Sequence, residues 1–170
     1  MAYSTEEEMY PDVMGWLNTI LPVRFPGSHT EVHDTHRYPL KDYIAKRGLG
    51  GFFASDLWQT YDIQVDITAF VQFEKRNGLI FVECKIVPIS LLHASQLLGY
   101  SRVALPLVSL LISSQGIGSS LTGLLLTYGR MDIIEYHWEK GKQPLRMVLA
   151  RWDEATKSVD SNTILPRGEW

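Results

Sequence analysis

The stretch VDITAFVQFEKRNGLIFVECKIVPISLLHASQLLGYSRVA, residues 65–104, decides the fold. Apolar and polar side chains alternate along Tyr61–Phe73, which predicts a half-buried strand. Leu79–Val87 is almost continuously apolar, which predicts a strand that is buried on both faces. Because Asn77-Gly78 lies between them and is a strong hairpin signal, we expect the two strands to pair antiparallel.

A helix and a further strand follow this hairpin. Pro88 ends the second strand, and Ser90 is suited to cap a helix that reaches about Ala104. Leu107–Ile112 is again apolar and predicts a buried strand. We expect the helix to act as a crossover that returns the chain to a position beside Leu79–Val87.

The segments before and after this region can be assigned only in part. Apolar residues at three- and four-residue spacing predict a helix over residues 5–21, which Pro22 ends. Residues 28–60 alternate too weakly for an assignment, although the glycines of RGLGGFF, residues 47–53, indicate a mobile connection or a tight turn. Later elements are predicted at Ser119–Thr127 (a short helix), Asp132–Trp138 and Leu145–Trp152 (two strands).

This order of elements predicts an α/β protein with a mixed central sheet flanked by helices, in a three-layer sandwich. The chain has 170 residues, of which 45% are hydrophobic, and is therefore large enough for one domain with a full core. We expect residues 1–155 to form that domain and the polar residues 156–170 to form a peripheral C-terminal tail.

Composition limits the classes of function. A net charge of −3 argues against a strong, non-specific DNA binder, but not against an enzyme whose metal ion supplies local positive charge. The single cysteine, Cys84, excludes an internal disulfide framework and a multi-cysteine zinc site, and we expect it to be a small buried hydrophobe. The acidic N-terminus MAYSTEEEMY lacks the apolar core of a secretory signal, so we expect a cytoplasmic protein.

Two charged side chains in the second predicted strand indicate chemistry. Glu83 and Lys85 are two residues apart and project from the same face of an otherwise apolar strand, where unpaired charges are costly. Hairpin pairing brings Asp66 close to them. Two neighbouring carboxylates repel each other, and Mg²⁺, which prefers oxygen ligands, relieves that repulsion and polarises a phosphodiester. We therefore interpret these three residues as a candidate metal-dependent site.

The chain resembles the PD-(D/E)XK nuclease superfamily, which has the restriction-endonuclease-like fold. The residues that carry the resemblance are Asp66, the tripeptide Glu83-Cys84-Lys85, and the helical Gln96-x-x-x-Tyr100. Gln96 and Tyr100 share one face of their helix, being four residues apart. In one respect the chain departs from the family, because Val65 stands where the family commonly has proline.

The resemblance implies a nuclease that hydrolyses phosphodiester bonds in DNA with Mg²⁺ or Mn²⁺. Asp66 and Glu83 would bind the metal, and Lys85 would position or activate the attacking water. The helical Gln96 would face the site as an auxiliary catalytic residue. The further acidic ligand that the family carries on its first helix would be Glu8, with Glu7 as the neighbouring choice.

Contacts with DNA are expected from two parts of the chain. Tyr100 is a candidate on the helix. The basic region within residues 24–47 supplies the other candidates, Arg37, Lys46 and Arg47. The resemblance also implies a homodimer, since nucleases of this size often cut two strands as a pair of subunits.

Individual residues also have alternative interpretations. Asp62 shares the predicted strand face with Asp66 and is the alternative metal ligand. The three histidines at positions 29, 33 and 36 have the number needed for a zinc site, but the absence of a helical apolar stripe favours a solvent loop or a phosphate-contacting strand. Gly116 and Gly118 lack the third glycine or lysine of a phosphate-binding loop, which favours a plain turn.

Two other functions remain open for the whole chain. It could be a catalytically silent module of the same fold that binds nucleic acid or a partner protein, which the negative charge and small size favour. It could also be a small-molecule α/β enzyme that uses Glu83 and Lys85 as acid and base, although no cofactor-binding pattern accompanies them.

Overall fold

The described residues form a mixed six-stranded sheet with helices on both faces. The computed structural model describes residues 3–168. Its helices are α1 (Tyr10–Arg24), α2 (Leu40–Arg47), α3 (Leu91–Ala104) and α4 (Ser119–Thr122). Its strands are β1 (His29–Asp34), β2 (Ile67–Gln72), β3 (Asn77–Lys85), β4 (Val108–Ser113), β5 (Glu135–His137), β6 (Leu145–Arg146), β7 (Val148–Asp153) and β8 (Ser158–Val159).

The strand order of the sheet is β1-β2-β3-β4-β7-β8, and β5 and β6 form a separate two-stranded ribbon. The neighbours β1, β2 and β3 are antiparallel, whereas β3, β4 and β7 run parallel. Helix α3 connects β3 to β4 and is thus the predicted crossover. The α/β class and the mixed sheet are therefore confirmed. No helix within residues 3–168 is long and apolar enough to cross a bilayer.

Hydrophobic cores lie on both faces of the sheet. In β3, Ile80, Val82 and Cys84 pack in the core that α1 covers, whereas Leu79 and Phe81 pack in the core that α3 covers. All five are buried, which confirms that this strand is covered on both faces and that the cysteine is a buried hydrophobe. The odd-numbered residues of β3 therefore face the α3 side, and the candidate site lies at the end of that row.

The turn between β2 and β3 lies earlier in the chain than Asn77-Gly78 predicts. Gln72 already pairs with Asn77, so the connection consists of residues 73–76, and both Asn77 and Gly78 belong to the strand. Gly78 lies close to another side chain instead of in the turn: a Cβ at this position would lie 2.4 Å from Leu107 Cδ1, so the Leu107 side chain would have to shift to admit one. Glycine in a strand can mark such a close approach as well as a turn.

The first helix begins later than predicted. Helix α1 starts at Tyr10 and not at residue 5, with Pro11 in its first turn, where proline is tolerated. Pro22 does not end it but lies in its last turn, and the helix continues to Arg24. Residues before Tyr10 form a separate hydrogen-bonded turn, which matters for the site described below.

Residues 28–60, which the sequence left unassigned, contain β1 and α2. Helix α2 ends at Gly48, whose φ of +66° is the left-handed conformation that glycine adopts readily. The segment 47–53 is therefore a tight turn followed by a short 3-10 turn, Leu49–Phe52.

The predicted strand Tyr61–Phe73 is shorter in the structure. Its alternation is real, because Tyr61, Ile63 and Val65 are buried and the residues between them are more exposed. However, this part bonds to the start of α2, where the Leu40 N–H donates to Ile63 O at 2.7 Å, and the ladder begins only with β2.

The predicted strands after residue 130 are also partly wrong. Met131–Ile134 is a 3-10 turn, so only Glu135–His137 of Asp132–Trp138 is a strand. Leu145–Trp152 is divided into β6 and β7, which lie in different sheets. The short helix predicted at Ser119–Thr127 is present as α4 and one π-helical turn.

The described part of the predicted peripheral tail, residues 156–168, packs on the sheet. It contributes β8, and Leu165 exchanges two backbone hydrogen bonds of 2.8 and 2.9 Å with Leu149. Ile164 and Leu165 are buried. The last two residues of the predicted tail, at positions 169 and 170, lie outside the described residues.

Ser90 caps α3 as predicted, since its hydroxyl accepts the His93 N–H. Replacing Ser90 with alanine removes this acceptor, and we expect the free energy of unfolding to fall by about 1 kcal/mol. Urea denaturation of Ser90→Ala beside Ser95→Ala measures the effect, because Ser95 is an exposed residue inside the same helix. An equal loss in both variants would contradict the capping role.

Candidate active site

Asp66 and Glu83 lie opposite each other where β2 and β3 end. The last paired residues are Ile67 and Val82, and one further step of the same antiparallel register puts Asp66 beside Glu83. The Asp66 carboxylate is held on both oxygens: Oδ1 accepts the Tyr10 hydroxyl and Oδ2 accepts the Cys84 backbone N–H, each at 2.8 Å. The structure therefore confirms the prediction that Asp66 lies close to Glu83.

The Lys85 ammonium lies between two glutamates. Its Nζ donates to Glu83 Oε1 at 3.1 Å and to Glu6 Oε2 at 2.9 Å. The side chains of Glu83 and Lys85 are only 4% and 10% exposed. These contacts offset part of the cost of burying the charges on an apolar strand.

One oxygen of this cluster has no partner among the residues that the structure describes. Glu83 Oε2 is buried and accepts no hydrogen bond there. A buried carboxylate oxygen in this state is costly unless a cation or another donor meets it. Its position beside a second carboxylate is what a small oxygen-seeking cation requires.

The donor set fits Mg²⁺ or Mn²⁺. Mg²⁺ is commonly bound by one or two carboxylates, with water and phosphate oxygens completing its coordination, and Asp66 and Glu83 supply two. Within residues 3–168, no group of three or more His, Cys, Asp or Glu side chains is arranged as a metal site. Water and phosphate oxygens would therefore complete the coordination of an ion held by Asp66 and Glu83.

Burial and mutual repulsion govern the ionisation of the cluster. Burial, and then the charge of Asp66, raises the pKa of Glu83 to about 7. Burial also raises the pKa of Asp66 above its usual value, although the Cys84 N–H and Lys85 oppose the shift. For Lys85, burial works to lower the pKa, but the neighbouring carboxylates outweigh it and raise the pKa, so the ammonium stays charged.

The N-terminal glutamate at the site is Glu6 and not the predicted Glu8. Glu8 turns back on its own segment, where it accepts the Ser4 backbone N–H at 2.7 Å, and Glu7 is exposed. The prediction failed because it treated residues 5–9 as part of a regular helix. These residues form the turn before α1, which directs Glu6 to Lys85.

Gln96 and Tyr100 lie on α3 and bond to each other. Gln96 Nε2 donates to the Tyr100 hydroxyl at 3.1 Å, which confirms that the two share a helix face. Gln96 is exposed and Tyr100 is half-buried against the α3-side core. The hydrogen bond of Gln96 thus runs along the helix, and an auxiliary catalytic role for it stays a prediction.

His93 is a polar residue near the site that the sequence did not single out. It lies one turn before Gln96, and its Nδ1 accepts the Ser90 N–H at 3.2 Å, so a neutral ring carries its proton on Nε2. Burial, and then the positive charge of Lys85, lowers the pKa of His93. The sequence feature that could have identified His93 is its position three residues after the cap Ser90, where a side chain can bond back to the cap.

The predicted DNA-contacting residues lie on the surface. Arg37 is exposed, and together with His36 it acts electrostatically on Glu7, next to the Glu6 that reaches the site. Lys46 and Arg47 occupy the last turn of α2, where Lys46 lies over the Tyr38 ring. Of the three, only Arg37 has an interaction with the N-terminal turn that carries Glu6, through its electrostatic effect on Glu7.

The alternative ligands are not at the site. Asp62 is exposed and pairs with Lys41 at 3.1 Å, so it does not replace Asp66. The three histidines bond to nearby carboxylates on or after β1: His29 and His33 to Glu31, and His36 to Asp34. They form no metal site within the described part of the chain.

No protein-family model matches this chain, and neither a curated protein nor a solved structure is significantly similar to it. The convergence of Asp66, Glu83 and Lys85 is therefore the observation that bears on function.

Proposed function

We propose that the protein is a metal-dependent nuclease of the PD-(D/E)XK type, with a restriction-endonuclease-like three-layer fold, that hydrolyses phosphodiester bonds in DNA. One observation carries the proposal. Asp66 and Glu83 meet across two adjacent strands, and Lys85 projects from the same face two residues later. The unpartnered Glu83 Oε2 supports a cation at this point.

Each residue then has a role. Asp66 and Glu83 would hold Mg²⁺ or Mn²⁺, and the ion would supply charge stabilisation at the phosphoryl group and lower the pKa of a bound water. In the metal-free protein Lys85 is a cation held among carboxylates, so it donates hydrogen bonds. This favours contact with a phosphate oxygen or orientation of the attacking water. Glu6 holds Lys85 from the N-terminal side.

DNA as the substrate rests on the resemblance of these residues to the nuclease superfamily. Arg37 is exposed and acts electrostatically on Glu7, the neighbour of Glu6, so it is the candidate for a phosphate contact from this side. The homodimeric state, the cytoplasmic location and contacts from Lys46, Arg47 and Tyr100 stay predictions.

A cleavage assay tests the proposal. Purified protein is incubated with single-stranded, double-stranded and branched DNA in the presence of Mg²⁺ or Mn²⁺. We expect cleavage that chelation abolishes and that Glu83→Gln reduces by at least about 10²-fold, because an amide is a weaker ligand than a carboxylate. Glu74→Gln, at an exposed position in the β2–β3 turn, is the matched control. Equal activity in both variants contradicts the proposal.

A catalytically silent binding module is the second candidate. One observation favours it: Lys85 already pairs with Glu83 and Glu6, so the cluster is partly neutralised without a metal. For this candidate we expect DNA or partner binding without cleavage, and calorimetry that detects no Mg²⁺ site sensitive to Glu83→Gln. A carboxylate-dependent metal site together with cleavage eliminates it.

A further inference from the structure

The turn before α1 contacts both strands of the candidate site. It is closed by the bonds Met9 N–H to Glu6 O at 2.9 Å and Tyr10 N–H to Glu7 O at 3.3 Å. Glu6 reaches Lys85 on β3, and Tyr10 reaches Asp66 just before β2. A segment distant in sequence thus supports two of the three central residues.

The Tyr10 hydroxyl is fixed in place by its surroundings. The residue is 4% exposed and packs in the α1-side core, and its ring centroid lies 5.1 Å from that of His36. A carboxylate only accepts hydrogen bonds, so the hydroxyl donates to Asp66 Oδ1. Because Cys84 N–H holds the other oxygen, Asp66 has little freedom to rotate.

We infer that Tyr10 is a positioning residue that orients Asp66 for a divalent cation. The inference rests on the proposed function for the presence of the metal. A ligand that is already oriented loses little conformational entropy when the cation binds. Residues that hold a metal ligand in place typically contribute about 10–100-fold to metal affinity, and we expect a contribution of this order from Tyr10. Unused lone pairs remain on both Asp66 oxygens for coordination.

The test is Mn²⁺ titration of Tyr10→Phe by isothermal calorimetry. This substitution removes one oxygen atom and keeps the ring. We expect the Mn²⁺ dissociation constant to rise about 10-fold or more. In the cleavage assay, the Mn²⁺ concentration for half-maximal rate rises by the same factor, while the rate at saturating Mn²⁺ stays within a few-fold of wild type.

Tyr136→Phe is the matched control. Tyr136 is also buried, and its hydroxyl donates to Pro106 O at 3.0 Å, so this variant loses a comparable hydrogen bond. We expect its Mn²⁺ affinity to be unchanged. The inference is overturned if Tyr10→Phe binds Mn²⁺ as the wild type does, or if both variants weaken binding equally.

The outcomes separate this inference from the proposed function. Asp66-dependent Mn²⁺ binding without cleavage refutes the nuclease and leaves the role of Tyr10 to be decided by the calorimetry. No Mn²⁺ binding by the wild type, or equal binding by Asp66→Asn, overturns both. If Tyr10→Phe is strongly destabilised, the Mn²⁺-induced rise of its unfolding temperature is compared with that of the wild type, and an equal rise overturns the inference.

Discussion

Replacing Lys85 with methionine is expected to reduce DNA cleavage about 10³-fold, within the range for losing one charged hydrogen-bond donor at the reacting phosphate. Methionine keeps an unbranched apolar side chain and removes only the ammonium. Because that ammonium neutralises Glu83 and Glu6 in the metal-free protein, its loss leaves buried negative charge behind. We therefore expect Mn²⁺ to bind Lys85→Met at least as tightly as it binds the wild type, although cleavage is lost.

The same variant also has an effect on stability. Removing one partner of a buried ion pair costs up to about 3–5 kcal/mol when the other partner stays charged, and protonation of Glu83 limits the cost here. Metal-free Lys85→Met is therefore expected to unfold at a lower urea concentration than the wild type. Added Mn²⁺ restores much of the loss by replacing the missing charge. Lys75→Met, at an exposed position in the β2–β3 turn, is the control and leaves stability and cleavage unchanged. Retained cleavage in Lys85→Met contradicts its catalytic role.

Metal-free protein is expected to lose stability as the pH rises from about 5 to 8. The pKa of Glu83 is about 7 in the folded protein and near 4.5 when unfolded, so between these values the native state binds more protons. Stability conferred by the protonated carboxyl is therefore present at low pH and lost as the pH passes through 7. A shift of this size corresponds to a loss on the order of 3 kcal/mol.

The Glu83→Gln variant tests this pH dependence without any activity assay. Its amide does not titrate, so we expect a flatter profile of unfolding free energy between pH 5 and 8, measured by urea denaturation with a chelator present. Glu74→Gln retains the wild-type slope, because Glu74 is exposed on the turn. An unchanged slope in Glu83→Gln would show that another group titrates in this range.

The centre of the fold could be predicted from sequence because its signals are local. Alternation located β2, continuous apolar runs located β3 and β4, and Pro88 with the Ser90 cap located α3; the order of these elements predicted the crossover. Hairpin pairing predicted that Asp66 lies close to Glu83, but not that the two residues stand directly opposite each other. That opposition depends on the observed turn at residues 73–76, which differs from the predicted turn at Asn77-Gly78. Gly78 lies instead against the side chain of Leu107, a residue distant in sequence.

The remaining parts of the fold and of the candidate site depend on contacts between residues distant in sequence, which no local sequence pattern indicates. Three consecutive glutamates precede α1, and only the turn geometry decides that Glu6 is the one that meets Lys85. Strand β1 is recognisable through its pairing with β2, since its own sequence, HTEVHD, alternates weakly. No sequence pattern marks Tyr10, because its hydroxyl meets Asp66 only when α1 packs beside the strands.

The hydrogen bond from Cys84 to Asp66 is made by the backbone, and this separates the two roles of that position. The thiol side chain faces the α1-side core, where only its size and apolar character matter. The peptide N–H faces the carboxylate. Any small apolar residue at position 84 can therefore fill the core and keep the N–H that Asp66 accepts, whereas proline has no amide hydrogen to donate.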